Sequence, residues 1–249
     1  MTIQEACVLA QTLTNNIIFK ALIIYKLFLC IVASLVTSYV IVSKGTKWLV
    51  NPNARVIYAF HMLFVFILPF SLIFPYSYDV YRIFILESED PCAYAIPSLL
   101  AMHARMPSVF AMNVQAFTLL ALSIERLVST IYPFKYESVK NSKLGIALSI
   151  LSIVGGFGCS YAILLPGVDH YKMLPNFTVR RVEKSAEFQI HTMAEFIVQV
   201  TAIVIYMGSF YRNNQQHKLY VSNKNAQLGA RYQVSKHAFL FLMNTFEGC

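Results

Sequence analysis

Five long apolar runs constrain this chain more than anything else in it. They cover about 22–42, 56–74, 97–122, 144–165 and 188–211, with polar connections between them. A hydrocarbon core about 30 Å thick needs roughly 20 apolar residues as helix. Each run is long enough, and inside a bilayer only helices or closed barrels satisfy their own backbone hydrogen bonds. One such run is ambiguous with a buried soluble helix; five at regular intervals are not. The first begins too far into the chain, is too long and lacks a small-residue cleavage site for a signal peptide, so it reads as a retained anchor. The stretch 238–246 is apolar but too short to span. The expected fold is an all-α membrane protein: a helical bundle with five complete transmembrane helices and a partial sixth.

Composition agrees. Hydrophobic residues make up 57% and charged residues 13% of the 249, about half the charge of an ordinary soluble domain. Too little charge is present to cover a solvated surface, and the chain is too apolar for intrinsic disorder. Five cysteines are too few for a disulfide scaffold. The net charge of +8 invites a nucleic-acid reading, but its distribution removes it. The first, third and fifth connections hold twelve Lys and Arg residues, and the opposite side holds six. Basic residues accumulate on the cytoplasmic side, which puts the N-terminus outside. The sequon at Asn176 falls in the fourth connection, on the same external side, as a glycosylated asparagine would.

The most informative string is Leu122-Ser123-Ile124-Glu125-Arg126-Leu127-Val128-Ser129-Thr130-Ile131-Tyr132-Pro133. It places a Glu-Arg pair where the third span leaves the membrane. An arginine facing a bundle is costly unless paired, and Glu125 is its natural partner. The same pair also fits an interfacial charge pair anchoring a helix end. With Pro133 seven residues on, the string resembles the Asp/Glu-Arg-Tyr motif of rhodopsin-like receptors, with Leu127 in place of Tyr. Residues 124–130 with Lys135-Tyr136-Glu137, and the string 228–234 (Leu-Gly-Ala-Arg-Tyr-Gln-Val), resemble nematode serpentine chemoreceptors of the alpha and alpha-b classes. The resemblance covers roughly 1–235. It implies a rhodopsin-like seven-helix receptor at the plasma membrane of chemosensory neurons. Its implied partners are an external small-molecule ligand and, inside, a heterotrimeric G protein coupled through Glu125, Arg126 and Pro133. Residues 236–249 read as the truncated start of a sixth helix, unlike the family, as in a shortened isoform or a misjoined gene. Such a product would signal poorly or pair with a full-length receptor as a homo- or hetero-oligomer.

Other expectations follow from position. In many rhodopsin-like receptors the cysteine before the third span is bridged to the loop after the fourth. Here Cys92 occupies that place, the loop 166–189 has no cysteine, and Cys7 is the other external candidate. The expectation is a Cys7–Cys92 bridge, with Cys30 and Cys159 as packing residues. If Arg126 faces the bundle, helical spacing puts Ser123, Leu119, Ala116, Met112, Val109 and Arg105 on the same face. Arg105, Val109 and Met112, with Glu195 and Gln199 on the fifth span, are then ligand-binding candidates. Arg105 and Glu195 serve equally well as a structural ion pair, and His61 and His103 as packing or interfacial residues. Gly145, Ser149, Ser152, Gly156 and Ser160 form a small-residue stripe on span four, suited to packing against spans two and three or to a dimer face. The basic fifth connection suits contact with anionic membrane lipids. No residue spacing calls for a metal, a cofactor or catalysis. A transporter or channel subunit is the rival class.

Overall fold

The computed structural model describes residues 3–43, 51–86, 88–132, 142–164, 173–175 and 185–222. Pro133, Asn176, the string 228–234 and the segment 236–249 lie outside them. The described residues form six α-helices: α1 (Ile3–Asn15), α2 (Ile17–Ser43), α3 (Pro52–Phe84), α4 (Ser98–Ile131), α5 (Lys143–Leu164) and α6 (Ser185–Ser222). Helices α2 to α6 are each long and apolar enough to cross a membrane. Two short strands, β1 (Ile96–Pro97) and β2 (Met173–Leu174), pair antiparallel.

The helix starts are written into the sequence. Asn16 accepts hydrogen bonds from the amides of Ile18 and Phe19 at 2.9 and 3.2 Å, capping α2. Asn51 accepts from Asn53 N at 2.8 Å, and Pro52 at the first helical position lacks the amide hydrogen that would go unused there. The helices run past the apolar runs at several ends. Helix α3 continues from Phe74 through Pro75 to Phe84, ten residues that the sequence reading assigns to an external loop. Tyr76 and Ile83 bury against Ile23 of α2, and Asp79 and Arg82 pair one turn apart on α3 with both side chains buried. The polar residues that make this stretch look like a loop thus satisfy one another inside it. Helix α4 likewise continues from Leu122 to Ile131.

Helix α4 is the hub. It packs against α3, α5 and α6, while α2 joins through α3. Small residues make the closest approaches. A Cβ on Gly145 would lie 2.5 Å from the Asn53 carbonyl oxygen, and one on Gly156 would lie 2.4 Å from Val114 Cγ2. Ser149, Ser152 and Ser160 of the same stripe are buried. The stripe is therefore the seat of α5 on α3 and α4, the packing alternative of the two the sequence left open. Asn53 Oδ1 also accepts from Gly145 N at 2.9 Å, so a side chain of α3 caps the start of α5.

A helix the hydropathy does not announce closes one end. In α1, Cys7 and Ala10 bury against Ala95, with Cys92, Tyr94 and Met173 packed around them. A disulfide joins Cys7 to Cys92, with Cα atoms 4.5 Å apart. Cys92 sits in a 3-10 turn, Pro91–Tyr94, whose first amides are held by Asp90. The Ile96–Leu174 strand pair lies on Ala101, Tyr78 and Ala104. Helix α1, the turn and the strand pair together make a stapled cap. Arg82 ties this cap to α3 by donating to the Tyr94 carbonyl as well as to Asp79.

Candidate functional site

Among the described residues, charged pairs gather at the end of α4 away from the cap and in a cluster below the cap.

At the end of α4 away from the cap, Glu125 is completely buried and Arg126 is 24% exposed by side chain, with Arg126 Nε 3.4 Å from Glu125 Oε2. Glu125 takes the fully buried position, and Arg126, which the sequence reading considered as a bundle-facing residue, is partly exposed beside it. The neighbours of Glu125 along that face of α4 are Ala121 and Leu122, which pack with Ile57 of α3 and with Tyr58 and Leu148. Residues one position apart on a helix point about 100° away from each other, so only one of an adjacent pair can take the seam. The face shared with Arg126 is accordingly mixed. Ser123 and Ala116 are buried, Arg105 and Val109 are half-buried, and Met112 is exposed. Ser123 Oγ donates to the Ala202 carbonyl of α6 at 2.8 Å, so this side of α4 receives the fifth span.

Higher up, polar side chains bridge the helices. His61 Nδ1 lies 2.9 Å from Thr118 Oγ1, joining α3 to α4. Gln115 donates to the Phe64 carbonyl, and Asn113 to Ser160 Oγ on α5. Unlike His61, His103 is exposed and bonds within its own helix, to the Leu99 carbonyl. His61, Gln115 and Asn113 thus tie helices together, while His103 sits at the surface.

Just below the cap lies a cluster of charge. The ring of Tyr76 has Lys26 Nζ 5.9 Å and the Arg105 guanidinium carbon 5.5 Å from its centroid. Asp79 sits about one turn and Arg82 nearly two turns further along α3. Arg105 thus turns toward α3, and Glu195, on α6, lies within electrostatic reach of Cys159 on α5. Gln199, one turn past Glu195, is half-buried like it. Among the described residues, no three of His, Cys, Asp and Glu gather as a metal site. The sequence reading did not bring Tyr76 together with Lys26 and Arg105; Lys26, a charge inside an apolar run, was the one signal of this contact.

The sequence pattern of the serpentine type 7TM GPCR receptor class ab chemoreceptors matches residues 4–246, nearly the whole chain. The match runs beyond 235, where the resemblance read from the sequence ends. No curated protein matches the chain.

Proposed function

Since the chain belongs to the serpentine class ab chemoreceptor family, a family of multispan membrane receptors rather than enzymes, we propose that it detects an external small molecule and signals to a heterotrimeric G protein. Its place is the plasma membrane of chemosensory neurons, with the N-terminus outside. The cytoplasmic contact is made at the Glu125–Arg126 end of α4, and the basic residues of the following connections sit against the anionic inner leaflet.

The observation that carries this reading is the burial of Glu125 beside Arg126 where α4 meets α3. A carboxylate sealed at the end of a central helix holds its neighbouring arginine in one place, and any rearrangement of the bundle that opens the seam changes that hold. An external ligand acts by population shift: it favours one arrangement of helices over another, and Arg126 is released toward the G protein. The hydroxyl of Ser123, bonded to α6, couples the same turn of α4 to the fifth span. The stapled cap supports the outward N-terminus, because disulfides form and persist in oxidising compartments.

The test needs no ligand. Nucleotide exchange on a purified Gα subunit is measured with the full chain in lipid nanodiscs. Glu125→Gln keeps the shape and removes the charge, and it raises basal exchange several-fold. Arg126→Ala lowers exchange to the receptor-free rate. Exchange equal to the receptor-free rate for the wild-type chain and both variants overturns the proposal.

A further inference from the structure

We propose that the Cys7–Cys92 disulfide is a redox-sensitive latch on α1: a small external thiol that opens it frees α1 and leaves the rest of the cap seated on α3. The device lies beyond the ligand and G-protein roles proposed above and depends on neither.

The two halves of the cap are held differently. The half carrying Cys92 is bound to α3 by contacts that do not pass through the sulfurs. Arg82, buried at the capped end of α3, donates to the Tyr94 carbonyl and to Asp79. The Tyr94 hydroxyl reaches back to the same end of the helix, donating to the Leu86 carbonyl at 3.0 Å and accepting from Ser88 N at 3.2 Å. Asp90 Oδ1 accepts from Cys92 N at 2.9 Å, and Ala95 N donates to the Cys92 carbonyl at 3.1 Å. Beyond the turn, Ile96 pairs with Leu174, and both bury with Ala101 of α4. Breaking the sulfur bond removes none of these contacts, and a buried donor that lost its partner would bear the full cost of desolvation.

The half carrying Cys7 depends more on the bond. Helix α1 has 13 residues, and an isolated helix of that length is marginal in water. The side chains it buries, Ala6, Cys7, Ala10 and Thr14, are small, so little apolar area leaves water when α1 seats. Thr14 directs its hydroxyl to the Gln11 carbonyl of its own helix rather than to the turn. The chemistry of release is thiol–disulfide exchange. Cys7 is 1% exposed and Cys92 is partly exposed, so the incoming thiolate attacks the Cys92 sulfur. The bond to Cys7 breaks, a mixed disulfide forms on Cys92, and Cys7 leaves as a thiolate that takes up a proton. A second external thiol resolves the mixed disulfide. Two external thiols thereby become one disulfide, and the chain gains two thiols. Release is reversible because α1 stays tethered: Asn16 follows Cys7 by nine positions and caps α2 in either state. Opening uncovers Ala95 and Met173, against which Cys7 and Ala10 pack.

Amide hydrogen exchange of the full chain in phosphatidylcholine nanodiscs, read by mass spectrometry, resolves the two halves. In excess reduced glutathione, exchange in 3–15 speeds up about tenfold or more, while exchange in 88–95 changes less than about twofold. Oxidised glutathione returns 3–15 to its starting rate. Tyr94→Phe removes the bonds to Leu86 and Ser88 and leaves the buried Asp79–Arg82 pair in place. In that variant, reduction speeds exchange in 88–95 as well as in 3–15. The proposal is overturned by a bond that stays closed in excess glutathione, by equal exchange of 3–15 in both redox states, or by equal acceleration of 3–15 and 88–95 in the wild-type chain. Slow exchange of 88–95 in the reduced Tyr94→Phe chain overturns the role given to the clasp. Neither a ligand nor a G protein enters the measurement, so its outcome stands apart from the nucleotide-exchange assay.

Discussion

Gly145 and Gly158 lie on the same helix, and only one of them is held by its surroundings. A methyl on Gly145 meets backbone atoms of Asn53, which cannot rotate away, whereas a methyl on Gly158 meets nothing within 4 Å. Gly145→Ala should therefore destabilise the bundle by about 1–3 kcal/mol, the usual cost of overpacking. Gly158→Ala should be neutral or stabilising by up to about 1 kcal/mol, the helix-propensity gain. Thermal unfolding in detergent, monitored on both variants, separates them. The His61–Thr118 bridge allows a second check at this scale. Thr118→Val keeps the shape, removes the hydroxyl that meets the imidazole, and should cost about 0.6 kcal/mol and no more than about 1.7, the average and maximum for interhelical hydrogen bonds in membranes. Single residues were the least legible level of the sequence. The Glu-Arg string located a charge pair near the end of α4, but which member is the more buried depends on the rotation of a whole helix, and that is set by packing with three neighbours. Met112 shows the same limit. Spacing put it on the face of Ser123, yet it is exposed while Ser123 is buried and bonded to α6.

Among elements, the spans themselves were readable because hydropathy reports directly on the solvent a helix requires. Their ends were not. Helix α6 has 38 residues, about 57 Å by rise, nearly twice the hydrocarbon thickness; apolar content marks only the part within lipid. The extension of α3 to Phe84 depended on Asp79 and Arg82 finding each other, which composition alone does not show. Helix α1 escaped notice because thirteen residues are few and its buried face is short: Ala6, Cys7, Ala10 and Thr14. That helix is held by the disulfide and a small apolar contact, which makes a specific prediction. Cys7→Ser and Cys92→Ser should each free α1 for limited proteolysis, and the double variant should be no worse than either single one, because both remove the same bond. The loop it closes has a sequence separation of 85. The chain-entropy estimate of about 4.6 kcal/mol for such a loop is an upper bound, since α2 and α3 are already confined by the bilayer. A difference in cleavage rate between the two single variants would show that one cysteine has a separate role.

For the whole molecule, the distribution of charge gave an orientation before any coordinates: twelve basic residues on one side and six on the other. An epitope placed before Ile3 should accordingly be stained on intact cells expressing the receptor, and staining only after detergent treatment would reverse the assignment. The hub arrangement of α3, α5 and α6 around α4 was not legible, because periodicity says which face of a helix is apolar and not which helix lies against it. The covalent staple carries a consequence for how such a chain is made. Its two sulfurs can meet only after the hairpin of α2 and α3 has been threaded and both flanking segments share one oxidising lumen. A polypeptide inserted upside down would keep two thiols in the reducing cytosol. Migration on a gel run without reductant therefore sorts newly synthesised molecules into those threaded correctly and those inverted.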